Sequence, residues 1–438
     1  MSIPVVTVGP GQEDIVSGLE RLRGPVTVVR RCSELAELLA ACQSGLAAAA
    51  VVAEGSGELT GTLVERMQAA GVSIVALTDD PLEASRLRSI GVVPAPPAID
   101  ARSLASSITD AVDSVQDRFS VQTVLHAGFS DAVSRAPVRA AATASVTTAA
   151  ASGAGRILAV WGPAGSPGRT LLAVNIAAEL AATGKSVVLV DADTYGASVS
   201  VLLGLLDESA GLAQACRMAD QGVLDDAALD RASLEVFTKS GSFRVLTGTT
   251  RADRWIELRA SALSKVLERA REKADTVVVD TGFCLEADEE LSFDSMAPRR
   301  NAATLRSLEV ADEVIAVGAA DAIGMPRLVR GLAELAQAVP DAAPRVVLNK
   351  VRRSSVGRSP RKQLGEAWQR FGPTGDIEAF LPADSEACDA ALLSGSVLLE
   401  CAPDSALRLA IARLVCADFQ QNRTSAGRST RAMRLLTR

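Results

Sequence analysis

Residues 156–172 read Arg-Ile-Leu-Ala-Val-Trp-Gly-Pro-Ala-Gly-Ser-Pro-Gly-Arg-Thr-Leu-Leu. Ile157–Val160 is a short apolar strand, three glycines punctuate the turn that follows, and a helical pattern runs from Thr170 to about Ala182. Strand, glycine-rich turn and helix together aim backbone N–H groups and a helix N-terminus at an anion. Glycine is required because the chain turns tightly and must approach the anion with no side chain in the way. Against the phosphate-loop pattern G-x-x-x-x-G-K-[S/T], Gly168 and Thr170 fit, Arg169 stands at the lysine and Pro163 at the first glycine. Thr170 is placed to offer its hydroxyl to a divalent cation.

Two acidic segments follow. Ser186–Val190 reads as a fully buried strand running into Asp191-Ala192-Asp193, and Thr276–Val279 reads as another running into Asp280. Open α/β sheets bind ligands at the C-terminal edge of their parallel strands. Three carboxylates delivered to the edge that carries the phosphate loop make a site for Mg²⁺ and a water. The alternative is that each acid caps the helix after it.

Together these residues resemble the ParA/MinD family of deviant P-loop ATPases, whose loop reads K-G-G-x-G-K-[T/S]-T. Gly165–Asn175 aligns with that loop and its helix asparagine. Val188–Asp193 is similar to the second acidic motif, Thr276–Thr281 to the Walker B strand, and Val346–Lys350 to the strand whose asparagine contacts adenine. Phe380–Asp384, Ser396–Glu400 and Ala402–Ser405 are similar to the closing segment, so the resemblance spans about residues 156–418. It implies ATP with Mg²⁺ as the bound group. Gly165, Ser166, Gly168, Arg169, Thr170 and Leu171 would surround the phosphates. Thr170, Asp191 and Asp280 would support the metal, and Asn349 would hydrogen-bond adenine. Asp193, which would orient the attacking water, and Arg169 are the catalytic candidates. The family's signature lysine, which reaches across a nucleotide-linked dimer, falls at Ala164. Phosphoryl transfer depends on placed positive charge, and a planar guanidinium differs from a compact ammonium. Slow or absent hydrolysis is therefore expected.

Residues 1–118 alternate strand-like runs (Val5–Val8, Val26–Val29, Ala48–Ala53, Val72–Leu77, Val92–Val93) with helical stretches (Ile15–Leu22, Glu34–Cys42, Leu59–Ala70, Ser103–Val115). That order predicts a small doubly wound α/β domain. It resembles a response-regulator receiver domain with its chemistry removed. Gly9-Pro10 stands where an acidic pair would hold Mg²⁺, Ala53-Glu54 where the phosphoacceptor would lie, and Val93–Pro96 in place of the late lysine. A non-phosphorylated docking domain is expected, with Glu54 either a mimic of a phosphorylated Asp or a solvated loop residue. Residues 119–155 read as an Ala/Ser/Thr-rich linker, 156–418 as the ATP-binding domain with a mostly parallel sheet covered by helices on both faces, and 419–438 as a basic tail.

Composition narrows the function classes. Hydrophobic residues make up 48% and charged residues 22%, which supports a packed core, and 45 basic against 52 acidic residues argue against a global polyanion-binding surface. The seven cysteines are scattered without a C-x-x-C pair, which argues against a zinc site or disulfide framework. His126 is the sole histidine and has no partner cluster, which excludes histidine-based catalysis. No signal peptide is read, and Leu38–Ala53 is too short and too polar to span a bilayer. Basic residues at 352, 353, 358, 361 and 362 read as a DNA-contacting patch or as a solvated loop over the nucleotide pocket, and the acidic run Glu286–Asp294 as a partner-contacting insertion. The tail carries five arginines from Arg423 to Arg438, with Met433, Leu435 and Leu436 too few for firm membrane insertion alone.

A degenerate receiver ahead of a deviant ParA/MinD domain resembles the CpaE/TadZ family, which localises Flp-type pilus assembly. The expected protein is thus a cytoplasmic ATP-binding localisation factor, polar or peripheral at the membrane, forming a nucleotide-linked homodimer with protein partners of a pilus or division apparatus. A MinD-like septum-site regulator and a non-hydrolysing scaffold stand as alternatives, and a partition ParA as a further one. DNA is not expected as a partner.

Overall fold

The computed structural model describes residues 2–9, 12–22, 24–127, 155–205, 210–287 and 298–416. The chain forms two compact units, the first made of residues 1–152 with 220–223 and the second of the remainder. Most of the expected linker, the later part of the acidic run and the basic tail lie outside the described residues.

The first unit holds five parallel strands, β1 (Ile3–Val8), β2 (Val26–Cys32), β3 (Ala49–Val52), β4 (Ser73–Leu77) and β5 (Val93–Ala95), in the order β2-β1-β3-β4-β5. This is a flavodoxin-type doubly wound order. Its central strands β3 and β4 are buried throughout, as parallel strands covered on both faces must be. At the ligand-binding edge, a Cβ on Gly9 would lie 2.6 Å from the Glu54 amide nitrogen, and Gly9 takes φ +109°. The ends of β1 and β3 therefore close on each other at that edge. The helix Pro81–Ser89 is an addition to the sequence reading: Asp80 caps it by accepting from the Leu82 amide, and proline starts it. The last helix runs Ala101–Ala127, into the stretch expected as linker, because no glycine or proline interrupts it before Gly128.

The second unit is an eight-stranded sheet in the order β13-β12-β11-β6-β10-β7-β9-β8. Its strands are β6 (Arg156–Trp161), β7 (Val187–Ala192), β8 (Leu234–Thr238), β9 (Gly241–Leu246), β10 (Thr276–Thr281), β11 (Glu313–Ala319), β12 (Pro344–Val351) and β13 (Ile377–Pro382). All pairings are parallel except the β8–β9 hairpin at the edge. The hairpin escapes the sequence reading because β8 alternates half-buried and exposed residues, with Phe237 75% exposed. β7 and β10 each run further than the sequence suggests. Asp191 and Asp280 are strand residues paired in register, not the first residues of loops.

The helix Arg169–Ala182 is buried along nearly its whole length, as an apolar helix inside an α/β core must be. Two polar contacts fix it. Asn175 donates to the Leu171 carbonyl and accepts from the Leu398 amide, each at 2.8 Å. Glu179 forms a two-point ion pair with Arg408, at 2.6 and 2.9 Å. Burial raises the Glu179 pKa even against the pull of Arg408, so the pair is balanced by its geometry. Removing one partner leaves a buried charge uncompensated. Glu179→Ala should therefore cost about 3–5 kcal/mol. Urea unfolding followed by tryptophan fluorescence reads this unit selectively, since Trp161, Trp255 and Trp368 all lie in it. An unchanged midpoint would show the pair to be dispensable.

Candidate functional site

The site forms at the C-terminal edge of the second sheet, where β6 leaves between β10 and β11. The turn after β6 has the backbone of an anion cradle. Gly165 and Gly168 take φ +115° and +100°, and Ser166 takes +52°, a conformation rare for a residue with a side chain. Crowding adds to this: a Cβ on Gly168 would lie 2.5 Å from Asn349 Nδ2, and one on Gly165 would lie 2.5 Å from Arg327 Nη1. Gly168 is the N-cap of the buried helix, so the first-turn amides of Arg169, Thr170 and Leu171 start at the loop. The Leu171 side chain packs against the apolar core on the far side.

The three acids do different things. Asp191 is wholly buried; it accepts from the Val199 amide at 3.0 Å, at the start of helix Val199–Leu202, and from the Asp193 amide at 3.3 Å. Helix capping is thus part of its work. Asp193 accepts from the amides of Tyr195 and Gly196 at 2.9 and 3.2 Å, shaping the turn after β7, and pairs with Arg169 Nη2 at 3.3 Å. Asp280 is wholly buried and neither carboxylate oxygen has a hydrogen-bond partner among the described residues. Burial, then the neighbouring Asp193, pushes the Asp191 pKa up to about 7. Burial, then the Asp191 charge, holds Asp280 well above the usual carboxylate range, opposed by Thr170 and Arg169.

Arg169 folds back on its own loop. Nη1 donates to the carbonyls of Gly162 at 3.0 Å and Pro163 at 3.4 Å, and the side chain is only 13% exposed. The two residues expected to be catalytic, Arg169 and Asp193, are therefore joined to each other. Asn349 also lies on the loop: Nδ2 donates to the Pro167 carbonyl and Oδ1 accepts from the Lys350 amide, both at 2.8 Å. Thr170 stands 3.5 Å from Ser198, hydroxyl to hydroxyl.

Sequence reasoning overlooks several residues that complete this edge. Lys350, at φ +61°, donates from Nζ to the Ser166 carbonyl at 2.7 Å. Tyr195 stacks on Phe283 at 4.8 Å between ring centroids, lies under the Arg300 guanidinium at 3.9 Å, and donates to Asn301 Oδ1 at 2.7 Å. These contacts tie the segment after β7 to the segment after β10. They join residues about a hundred positions apart, which no local spacing announces.

A phosphate group with its cation fits these residues. The left-handed glycines leave the cradle open, and the unpartnered Asp280 carboxylate supplies acceptor oxygens behind Thr170. Among the described residues no cluster of three or more His, Cys, Asp or Glu side chains could hold a metal by itself. The cation would therefore depend on phosphate oxygens together with Thr170 and the acids. Among the described residues no helix is long and apolar enough to cross a membrane.

Residues 154–256 match the ParA family model, described as NUBPL iron-transfer P-loop NTPase. No curated protein matches the chain. Among solved structures, a ParA family ATPase from Chlorobium tepidum TLS is 20% identical, with a TM-score of 0.48, covering 60% of this chain and 99% of its own. The cell division ATPase MinD of Pyrococcus furiosus is 21% identical, with a TM-score of 0.46, covering 61% and 99%. The septum site-determining protein MinD from Pyrococcus horikoshii OT3, complexed with Mg-ADP, is 20% identical, with a TM-score of 0.46, covering 59% and 94%.

The buried acids set a pH dependence. Unfolded aspartates titrate near pH 4, whereas burial pushes folded Asp191 up to about 7 and holds Asp280 well above the usual carboxylate range. Between those limits the folded state binds more protons, so this contribution is present at low pH and lost as pH rises. Without nucleotide, raising the pH from about 5.5 to about 7.5 should lower Tm, and Asp280→Asn should flatten that slope. Identical slopes in thermal scans of the two proteins would show that the pair ionises freely.

Proposed function

We propose that this chain binds ATP with Mg²⁺ at Gly165–Thr170 and acts as a nucleotide-held localisation or assembly factor of the CpaE/TadZ kind, with slow or absent hydrolysis. One observation carries the reading: the left-handed loop opens onto the start of a buried helix, with the unpartnered carboxylate of Asp280 behind it. On this reading the first-turn amides and Gly165–Gly168 hold the phosphates, Thr170 and Asp280 serve the cation, and Asp191 braces the cation side through its backbone contacts. Mg²⁺ supplies neutralisation of phosphate charge when bound. On the same reading Asn349 would hydrogen-bond the base, exchanging its present contacts with the Pro167 carbonyl and the Lys350 amide.

Slow turnover follows from how Arg169 is used. Its guanidinium is committed to two loop carbonyls and to Asp193, so its charge is already compensated. Asp193 is likewise committed on both carboxylate oxygens, which limits it as a water-orienting group. The doubly wound first unit, closed between Gly9 and Glu54, suits a docking role, which is the feature that favours a pilus-assembly localiser. We place the working form as a nucleotide-linked homodimer in the cytoplasm, its basic tail available to a membrane surface.

Calorimetry on the full chain should show saturable Mg-ATP binding, with Thr170→Val weakening it by about tenfold through loss of the hydroxyl. Steady-state hydrolysis should be very slow, and Ala164→Lys with Arg169→Lys should raise it by roughly 10²-fold or more. A folded protein that binds no nucleotide at millimolar concentration would end this reading. Fast turnover in the unmodified chain, abolished by Asp193→Ala, would replace the scaffold with an ATPase switch.

A further inference from the structure

We propose that Arg327 is a phosphate contact of the Gly165–Thr170 loop and supplies the free positive charge that the loop itself lacks. The inference rests on the ATP-binding reading above and assigns a specificity-determining residue to that site.

The loop's nearby cations are otherwise engaged. Arg169 faces the carbonyls of Gly162 and Pro163 and the Asp193 carboxylate. Lys350 donates to the Ser166 carbonyl, and Arg352, on the wall of the smaller cavity, donates to the Lys350 carbonyl. Ala164 brings only a methyl group. Arg327 differs from all four. It lies in the first turn of the helix Gly324–Ala338 and is exposed. No hydrogen bond or ion pair engages its guanidinium among the described residues.

Its place against the loop is fixed by the Gly165 backbone. A Cβ on Gly165 would lie 2.5 Å from Arg327 Nη1, 3.7 Å from Cζ and 3.9 Å from Cδ, so the guanidinium rests on the glycine itself. Gly165 thus has two reasons to lack a side chain: its φ of +115° and the arginine seated on it. Arg327 also lines both cavities that flank the loop. One, of about 790 Å³, includes Trp161 and Ala164. The other, of about 430 Å³, includes Ala164, Gly165 and Pro167. Asp321, an acid on the second cavity's wall, accepts from the Ile323 and Gly324 amides and so is occupied in starting the helix. Glu334 lines the first cavity two turns further along the same helix.

A free guanidinium beside a phosphate cradle is suited to paired N–H donation to phosphate oxygens. In phosphate loops the backbone amides hold the inner phosphates, whereas the cation serves the outer ones. The energetic weight of Arg327 therefore falls on a triphosphate more than on a diphosphate.

The test compares Mg-ATP and Mg-ADP dissociation constants by calorimetry on the full chain, for the unmodified protein, Arg327→Ala, Arg327→Lys and Arg330→Ala. Arg327→Ala should weaken ATP by roughly 10- to 100-fold and ADP by less than about threefold. Arg327→Lys should recover part of the loss, because it keeps the charge without the fork. Arg330→Ala, one turn along the same wall, should change either constant by no more than about twofold. If the unmodified chain binds both nucleotides and Arg327→Ala leaves the ATP-to-ADP ratio unchanged, this inference falls and the ATP reading stands. If the unmodified chain binds neither, the ATP reading falls and this inference with it.

Discussion

Asp191 and Asp280 are register partners on adjacent parallel strands, and both are wholly buried. Two carboxylates placed side by side away from water repel each other and lose their hydration, and such an arrangement persists only where something else compensates it. The chain compensates Asp191 with backbone amides from the turn after β7. It leaves Asp280 with no partner among the described residues. Much of the local architecture follows from that asymmetry. The β7 turn curls so that the Asp193 and Val199 amides face Asp191, and the loop after β6 brings Thr170 and Arg169 toward Asp280. Burial raises the pKa of both acids.

The same constraint explains why the positively charged groups are arranged as they are. A cation is needed near the acids even without nucleotide, and Arg169 meets that need through Asp193. A guanidinium can do so while also donating to loop carbonyls, since it has five donors in one plane. An ammonium at the same position would be a more mobile point charge. Arg169 at this position thus acts as a brace between the loop carbonyls and Asp193. The brace extends sideways: Phe283 lies 6.0 Å from the Arg169 guanidinium and stacks on Tyr195, which is held by Arg300 and Asn301. The segments after β7 and β10 are consequently one connected structure at this edge.

How far this is visible in the sequence depends on whether the physics is local. The loop is legible because only glycine tolerates φ near +100° with another side chain pressed against it, and strand–glycine–helix order repeats that demand in residue types. Asp191 and Asp280 are legible because a charged residue ending an apolar run is conspicuous. Their depth is not, since it depends on parallel pairing across 89 positions between Asp191 and Asp280. The edge hairpin β8–β9 escapes because half-exposed strands carry weak periodicity, and the helix Pro81–Ser89 because only one of its residues, Leu87, is fully buried. Arg327 has no local signature, and Lys350 enters the sequence reading only as the last residue of the Val346–Lys350 segment, with no role of its own. Each is a surface cation whose meaning comes from a backbone atom more than 150 residues away.

The helix behind the loop shows why the cradle keeps its shape regardless of which cation serves it. Asn175 and Glu179 lie one turn apart on Arg169–Ala182, and each is bonded to the closing segment, at Leu398 and Arg408. The other residues from Leu172 to Ala181 are apolar and buried against both the sheet and that segment. Rotation or sliding of the helix would break two buried polar contacts and a continuous packed face at once, which interior packing does not tolerate in small steps. Its N-terminal amides are therefore held in place by interactions far from the loop. Such preorganisation separates two tasks within one site. The cradle that would hold an anion is a property of the core, whereas the charge that would discriminate among anions comes from exposed side chains on neighbouring helices and strands. The geometry of the cradle therefore does not depend on whether the loop itself carries a lysine, as the alanine at 164 and the arginine at 169 illustrate.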